Sequence, residues 1–220
     1  MASHPVLILV GTLTGNADAV ARDLAAAFDL VDFTPTVLDM YDADLTIFER
    51  YQDIVICTST QGEGDLPPNA EPLYDALTTA VPDLSSVAFA VCALGDHDYD
   101  PFFCEAGKTF AALFEQLGAT RVMPNFEFDG EPTERAVEYA QAWALDVAAC
   151  FHAVAVEVAA YPGLGASRDT RAAGPCGPAA RLSVRSIGDL PSAPTALVRR
   201  IEPFECWPQR ARSIMPAQPL

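Results

Sequence analysis

Gly11-Thr12-Leu13-Thr14-Gly15-Asn16-Ala17 follows the apolar run Val6-Leu7-Ile8-Leu9-Val10 and precedes a helical pattern. A short buried strand therefore ends in a loop with two glycines and two threonines, and a helix begins there. Glycine permits tight backbone, the threonines offer hydroxyls, and the first turn of a helix presents unpaired N–H groups at its positive dipole end. The stretch reads as an anion-binding loop suited to a phosphate. It is neither the Walker loop, which ends Gly-Lys-Ser/Thr, nor the Gly-x-Gly-x-x-Gly dinucleotide fingerprint. Taken alone, it is equally compatible with an ordinary strand-to-helix turn.

Later loops tip that balance. Ala17, Val20, Ala21, Leu24, Ala27 and Phe28 recur at helical spacing after the first loop, Thr36-Val37-Leu38 is a second short strand, and a helical piece is expected around Leu45 to Arg50. Asp53-Ile54-Val55-Ile56-Cys57-Thr58 is a third strand, apolar enough to be covered on both faces. It runs into the polar, glycine-rich Ser59-Thr60-Gln61-Gly62-Glu63-Gly64-Asp65-Leu66-Pro67-Pro68-Asn69-Ala70, and a helix follows around Glu71 to Ala80. A fourth strand, Ser86 to Leu94, leads into Gly95-Asp96-His97-Asp98-Tyr99-Asp100-Pro101-Phe102-Phe103. Here Tyr99 offers a flat face with a polar tip, suited to covering a planar heterocycle, while His97 reads as a solvated loop residue without a role. A helix from about Glu105 to Leu117 stops at Gly118, and a fifth strand starts at Thr120-Arg121-Val122-Met123 and runs on toward Phe126-Glu127-Phe128. The last helix is expected to open near Pro132, with Val137, Ala140, Ala144, Val147 and Phe151 at core spacing. Alternating strands and helices specify a doubly wound α/β fold, a five-stranded parallel sheet with helices on both faces, and ligands bind outside the carboxyl ends of such strands.

The chain has 220 residues and a formal net charge of −17. Residues 1–160 carry 26 Asp and Glu against 5 Lys and Arg, whereas residues 161–220 carry 4 acids against 8 arginines. A body this acidic repels nucleic acid and anionic membrane and attracts a partner with a basic face. The six cysteines form no Cys-x-x-Cys pair and no metal-spaced cluster; Cys57 and Cys92 lie in strands as small hydrophobes. The amino terminus has no cationic segment and its apolar run is too short to span a bilayer, so a soluble, cytoplasmic protein is expected. Residues 161–220 hold 9 of the 18 prolines and lack a sustained period, which divides the chain into a folded domain, 1–158, and a Pro- and Arg-rich extension, 159–220, expected to be disordered.

In order, Thr12-x-Thr14-Gly15-Asn16-Ala17, Ser59-Thr60-Gln61-Gly62-Glu63-Gly64-Asp65 and Leu94-Gly95-Asp96-x-x-Tyr99-Asp100-x-Phe102 resemble the three flavin mononucleotide (FMN) loops of the flavodoxin family. The version is the one seen in the FMN domains of sulfite reductase flavoprotein and cytochrome P450 reductase and in related small stand-alone flavodoxins. The likeness covers roughly residues 5–154. It implies that N–H groups and hydroxyls of Thr12, Thr14, Asn16 and Ala17, with Leu13 and Gly15 in the same loop, hold the FMN phosphate without a cation. It implies that Tyr99 stacks on the isoalloxazine, that Thr60, Gln61 and Gly62 line the other side toward N5, and that Ser59, Glu63 and Gly64 complete that loop. It further implies that Leu94, Gly95, Asp96, Phe102 and Phe103 of the third loop are cofactor-binding residues, with Asp100 helping to shape that loop, and Asp129 is a further acidic candidate near the ring. Where the cytochrome reductase pattern has a tyrosine, this chain has Gln61, so the second stacking ring is missing.

FMN would supply the redox chemistry and the protein would tune it. Gly62 lets its peptide rotate toward N5–H, and the absence of Lys and Arg from the loops disfavours an anionic reduced flavin; both favour one-electron transfer. The expected function is a one-electron carrier between a separate reductase and an acceptor enzyme, both docking on the acidic face, with no catalytic residue and no metal. Two alternatives belong to other classes: a fragment of a diflavin reductase, and a flavin-free interaction module. Neither a second glycine-rich nucleotide fold nor a reductase-like sequence is visible after Val154, which favours the carrier.

Overall fold

In the computed structural model, residues 4–160 are described; residues 159–160 of the expected extension belong to the last helix, and the rest of it lies outside the described residues. Six strands and five helices alternate along the chain: β1 (His4–Gly11), α1 (Asn16–Asp29), β2 (Phe33–Asp39), α2 (Ile47–Arg50), β3 (Asp53–Ser59), α3 (Glu71–Ala80), β4 (Ala88–Gly95), α4 (Glu105–Gln116), β5 (Thr120–Arg121), β6 (Phe126–Asp129) and α5 (Glu134–Ala160). The sheet is parallel throughout, in the order β2-β1-β3-β4-β5, with β6 also beside β4. This is the doubly wound α/β architecture expected from the sequence.

Period-2 alternation sorts the central strands into two cores. Val6, Ile8 and Val10, Val55 and Cys57, and Ala88, Ala90, Cys92 and Leu94 pack with α1 and α5 on one face. Leu7 and Leu9, Ile54 and Ile56, and Phe89, Val91 and Ala93 pack with α3 and α4 on the other. Strands buried on both faces need apolar residues at nearly every position, which is why they read as continuous runs. The expected helical stripe, Ala17, Val20, Ala21, Leu24, Ala27 and Phe28, is buried along α1. Phe28, Phe89, Phe110, Phe114 and Phe151 are fully buried, each worth about 2–3 kcal/mol of apolar transfer. Cys57, Cys92, Cys104 and Cys150 are buried too, and Trp143 of α5 is a core residue.

Boundaries differ from expectation where short-range chemistry intervenes. The fifth strand is two strands in one lane. β5 faces Ala88 and Phe89, β6 faces Cys92 to Gly95, and Pro124 lies in the gap, where its missing N–H cannot serve the ladder. α2 opens at Ile47, because the Asp44 carboxylate accepts from the Thr46 N–H (2.8 Å) and hydroxyl and keeps 44–46 in a turn. α5 opens at Glu134 rather than near Pro132: the Thr133 hydroxyl accepts from Ala136 N (3.3 Å) and so caps the helix. Gly118 ends the α4 region at φ +94°, in the left-handed conformation expected of a stop.

Candidate cofactor site

Register brings the three loops together. Val10 lies opposite Asp39, Gly11 opposite Thr58, Ser59 opposite Leu94, and Gly95 opposite Asp129. These five strands, β1, β2, β3, β4 and β6, therefore end in one row, and the loops that leave them share one edge of the sheet. Gly11 has no room for a side chain: a Cβ would lie 2.5 Å from Thr58 Oγ1 and 3.2 Å from Met40 Sδ.

The first loop is shaped as an anion cradle. Gly15 precedes α1 at φ +91°, a left-handed conformation that disfavours a side chain although the space around it is open. The backbone N–H groups of Leu13, Thr14, Asn16, Ala17 and Asp18 have no acceptor among the described residues, as the first turn of a helix dictates. Thr12 is committed differently. Its N–H donates to Asn69 Oδ1 (2.8 Å) and its Oγ1 accepts from Gly15 N (3.0 Å). This corrects the expectation that the Thr12 backbone N–H is free for an anion; its hydroxyl proton remains available.

The second loop is tied at both ends. Thr60 N donates to Leu94 O (2.9 Å), and Thr60 Oγ1 accepts from Ala106 N (3.2 Å) in the first turn of α4. Its hydroxyl thus anchors the loop. Gln61 and Asp65 exchange backbone hydrogen bonds (2.9 and 2.8 Å) around a tight turn carrying Gly62 at φ +50° and Gly64 at φ +97°, with Glu63 exposed at its tip. Ser59 Oγ is buried without a hydrogen-bond partner, a state that costs about 1–3 kcal/mol unless a ligand or water supplies one. A cavity of about 390 Å³ opens between the first two loops, lined by Leu13, Gln61, Asp65 and Leu66 with Pro68 and Glu71. Tyr99 stands outside it.

In the third loop, residues 97–99 form a 3-10 turn capped by Asp96, whose Oδ1 accepts from Asp98 N (2.8 Å). Asp129 Oδ1 accepts from His97 N (3.0 Å), and Gly130 N donates to Gly95 O (2.8 Å). Asp129 thus makes a structural bond that holds the loop. Phe103 is buried, with the His97 ring stacked on it at 3.7 Å and the Lys108 ammonium 5.6 Å from its centroid. Phe103 and the buried Leu94 support the loop from beneath, whereas Phe102 is half-buried beside Gly64. Tyr99 is 64% exposed, its face open to a ligand.

The surroundings are negative and short of cations. Lys and Arg are absent from 11–17, 59–70 and 95–103. Beneath the loops, burial raises the Cys92 thiol well above the ordinary range and pushes Cys104 up to about 12. Among the described residues no cluster of His, Cys, Asp and Glu has the arrangement of a metal site.

The flavodoxin family model matches residues 8–143. The chain belongs to the flavodoxin family. It superposes on a point mutant of the Pseudomonas aeruginosa flavodoxin with a TM-score of 0.62 and 29% identity, covering 67% of this chain and 99% of that one. For oxidised flavodoxin 1 of Bacillus cereus the values are 0.60 and 25%, covering 66% and 97%. Among curated relatives, NADPH oxidoreductase A of Dictyostelium discoideum is 40% identical over 129 residues, 58% of this chain and 20% of that protein. The sulfite reductase flavoprotein alpha-component of Neisseria meningitidis is 34% identical over 158 residues, 71% and 25% respectively. The chain thus spans about a fifth to a quarter of the curated relatives it matches.

FMN is the cofactor of the flavodoxin family. The residues of this edge fit that molecule. A dianionic phosphate needs donors, and the first loop supplies a set of unpaired N–H groups at a helix end; the unpaired Ser59 hydroxyl adds another polar group at the same edge. Two residues were missed by reading the sequence. Asn69 carries no motif that marks it as a partner of the first loop, and His97 shows its stack on Phe103 only in three dimensions.

Proposed function

We propose that this flavodoxin takes electrons one at a time from a separate reductase and delivers them to an acceptor protein, both docking on the acidic edge around the three loops. The observation that carries the reading is the shared edge: an N–H cradle, an exposed Tyr99 and two glycine turns at adjacent strand ends, with exposed carboxylates and no cation between them. When bound, FMN supplies reversible one-electron chemistry. Leu13, Thr14, Asn16 and Ala17 would hold the phosphate through backbone N–H groups, with Gly15 shaping the turn through its bond to Thr12 Oγ1 and the Thr12, Thr14 and Ser59 hydroxyls beside them. Tyr99 covers the isoalloxazine. Gln61 and the glycine turn would line its other side, with the Gly62 carbonyl available to accept a hydrogen bond from N5–H. The carboxylates of Glu63, Asp65, Asp96 and Asp129 disfavour further negative charge on the ring.

The test begins with the visible spectrum of the purified protein and identification of the released chromophore. Stoichiometric FMN supports the reading; a colourless protein that fails to bind added FMN overturns it and leaves the interaction module. Electrostatic docking further requires that the electron-transfer rate fall as salt rises, and rates indifferent to salt exclude it.

A second reading has its own support. The curated relatives are four to five times longer than the matched segment, in keeping with an FMN domain of a diflavin reductase. The two separate when NADPH is added to the native full-length product in cell extract: reduction of the flavin within the same polypeptide marks the diflavin enzyme. We further propose a folded domain over 1–158 with an extension beyond it, in a cytoplasmic setting. Among the described residues, no helix is long and apolar enough to cross a membrane.

A further inference from the structure

Asn69 closes the second loop just before α3 and is half-buried. Its Oδ1 accepts from Thr12 N at 2.8 Å, and its Nδ2 donates to Val10 O at 3.2 Å and to Asp39 Oδ1 at 3.0 Å. These partners lie 57, 59 and 30 positions away in the sequence: Thr12 in the first loop, Val10 at the end of β1 before it, and Asp39 at the end of the neighbouring β2. Their chemistry fixes which way the amide faces: one partner can only donate, and the other two can only accept. A carboxylamide satisfies all three at once, because it carries a donor and an acceptor in one plane.

We propose that Asn69 is a positioning residue for the FMN phosphate, setting the first loop and restraining the neighbouring Asp39 carboxylate. The inference rests on the FMN reading above. Asn69 takes up the Thr12 N–H and so pins the first residue of the loop. Thr12 Oγ1 then holds Gly15 N, and the turn between them turns the N–H groups of Leu13, Thr14, Asn16 and Ala17 outward. Asp39 is an anion beside an anion site, and the interaction between like charges is unfavourable. It is held by Asn69 Nδ2 and by Tyr41 N, which donates at 2.8 Å. Loss of the amide frees both the loop and the carboxylate.

The test compares FMN with riboflavin, which has the same ring and no phosphate. Apoprotein of the full chain is titrated with each ligand, and flavin fluorescence quenching gives the two affinities. Asn69→Ala is expected to weaken FMN about tenfold or more while leaving riboflavin within about twofold, since only phosphate binding uses the loop. Asn69→Asp places a carboxylate against Asp39 and the Val10 carbonyl and should lose FMN affinity at least as strongly. Combining it with Asp39→Asn restores a donor–acceptor pair and the original charge, so the double variant should regain part of the FMN preference. An equal loss for both ligands in Asn69→Ala means that Asn69 supports the fold and overturns the proposal. Unchanged FMN affinity in Asn69→Ala also overturns it, even if Asn69→Asp weakens FMN, because charge alone then explains the effect. A wild-type chain that binds neither flavin refutes the FMN reading itself, and that result is distinct from either of these.

Discussion

The two edges of the sheet are built by opposite rules. At the carboxyl edge, loops leave the strands with N–H groups unpaired, two glycines at positive φ in one turn, and a tyrosine facing solvent. At the amino edge, rings close the core: Phe33 lies 5.6 Å from Phe28, 4.6 Å from His152 and 6.3 Å from Phe151, and His4 lies 4.8 Å from His152. Asp53, at the start of β3, is held there with its carboxyl raised to about 6 by burial, against the opposing pull of His4. One edge leaves polar groups unsatisfied; the other buries apolar surface. Binding and stability are therefore expected to respond to different residues.

The sharpest way to break that division is Phe33→Ala. Phe33 is buried, and truncation should cost about 3 kcal/mol of stability. The thermal midpoint should fall while FMN affinity, measured where the variant is still folded, stays within about twofold. A parallel loss of FMN affinity would mean that the edges are coupled. The converse variant is Tyr99→Ala. With 64% of its surface exposed, Tyr99 contributes little to the core, so apoprotein stability should move by less than about 0.5 kcal/mol. Loss of ring stacking should weaken FMN about tenfold, and titration of the apoprotein measures it.

Asp53→Asn is the smallest of the three and has a pH signature. A carboxyl whose folded pKa is raised from 3.8 to about 6 favours folding while protonated. That contribution is complete below pH 3.8, declines as pH rises toward 6, and is absent above it. Replacement by Asn removes the penalty of the charged form, so stability at pH 7 should rise by about 1 kcal/mol after discounting for solvent contact, and the gain should disappear below pH 4. A gain equal at both pH values would show that ionisation of Asp53 is not its source.

Legibility follows the same division. The first loop was readable because its chemistry is contiguous: a buried strand, Gly15 and the first turn of α1 are adjacent in the chain. Strands β1, β3 and β4 were readable because burial on both faces imposes unbroken apolar runs. What escaped notice joins residues distant in sequence. Asn69 reaches three partners far from it, and the Thr12 N–H it occupies looked free. Phe103 reads as a ligand contact by position in the loop, yet His97 and Lys108 cover it. The split between β5 and β6 was hidden for another reason: Val122, Met123 and Phe126 keep an apolar pattern across Pro124, and pattern alone does not register a missing N–H.

The buried thiols under the loops carry a consequence for durability. Reduced flavins react with dioxygen, and the peroxide that follows attacks thiolates far faster than thiols. Cys57 is sealed in β3 with its thiol directed at the Ala17 carbonyl at 3.3 Å, and burial keeps Cys92 and Cys104 protonated at neutral pH. Sulfur thus lies directly below the working edge, yet it is shielded from the oxidant that repeated turnover in air would generate there.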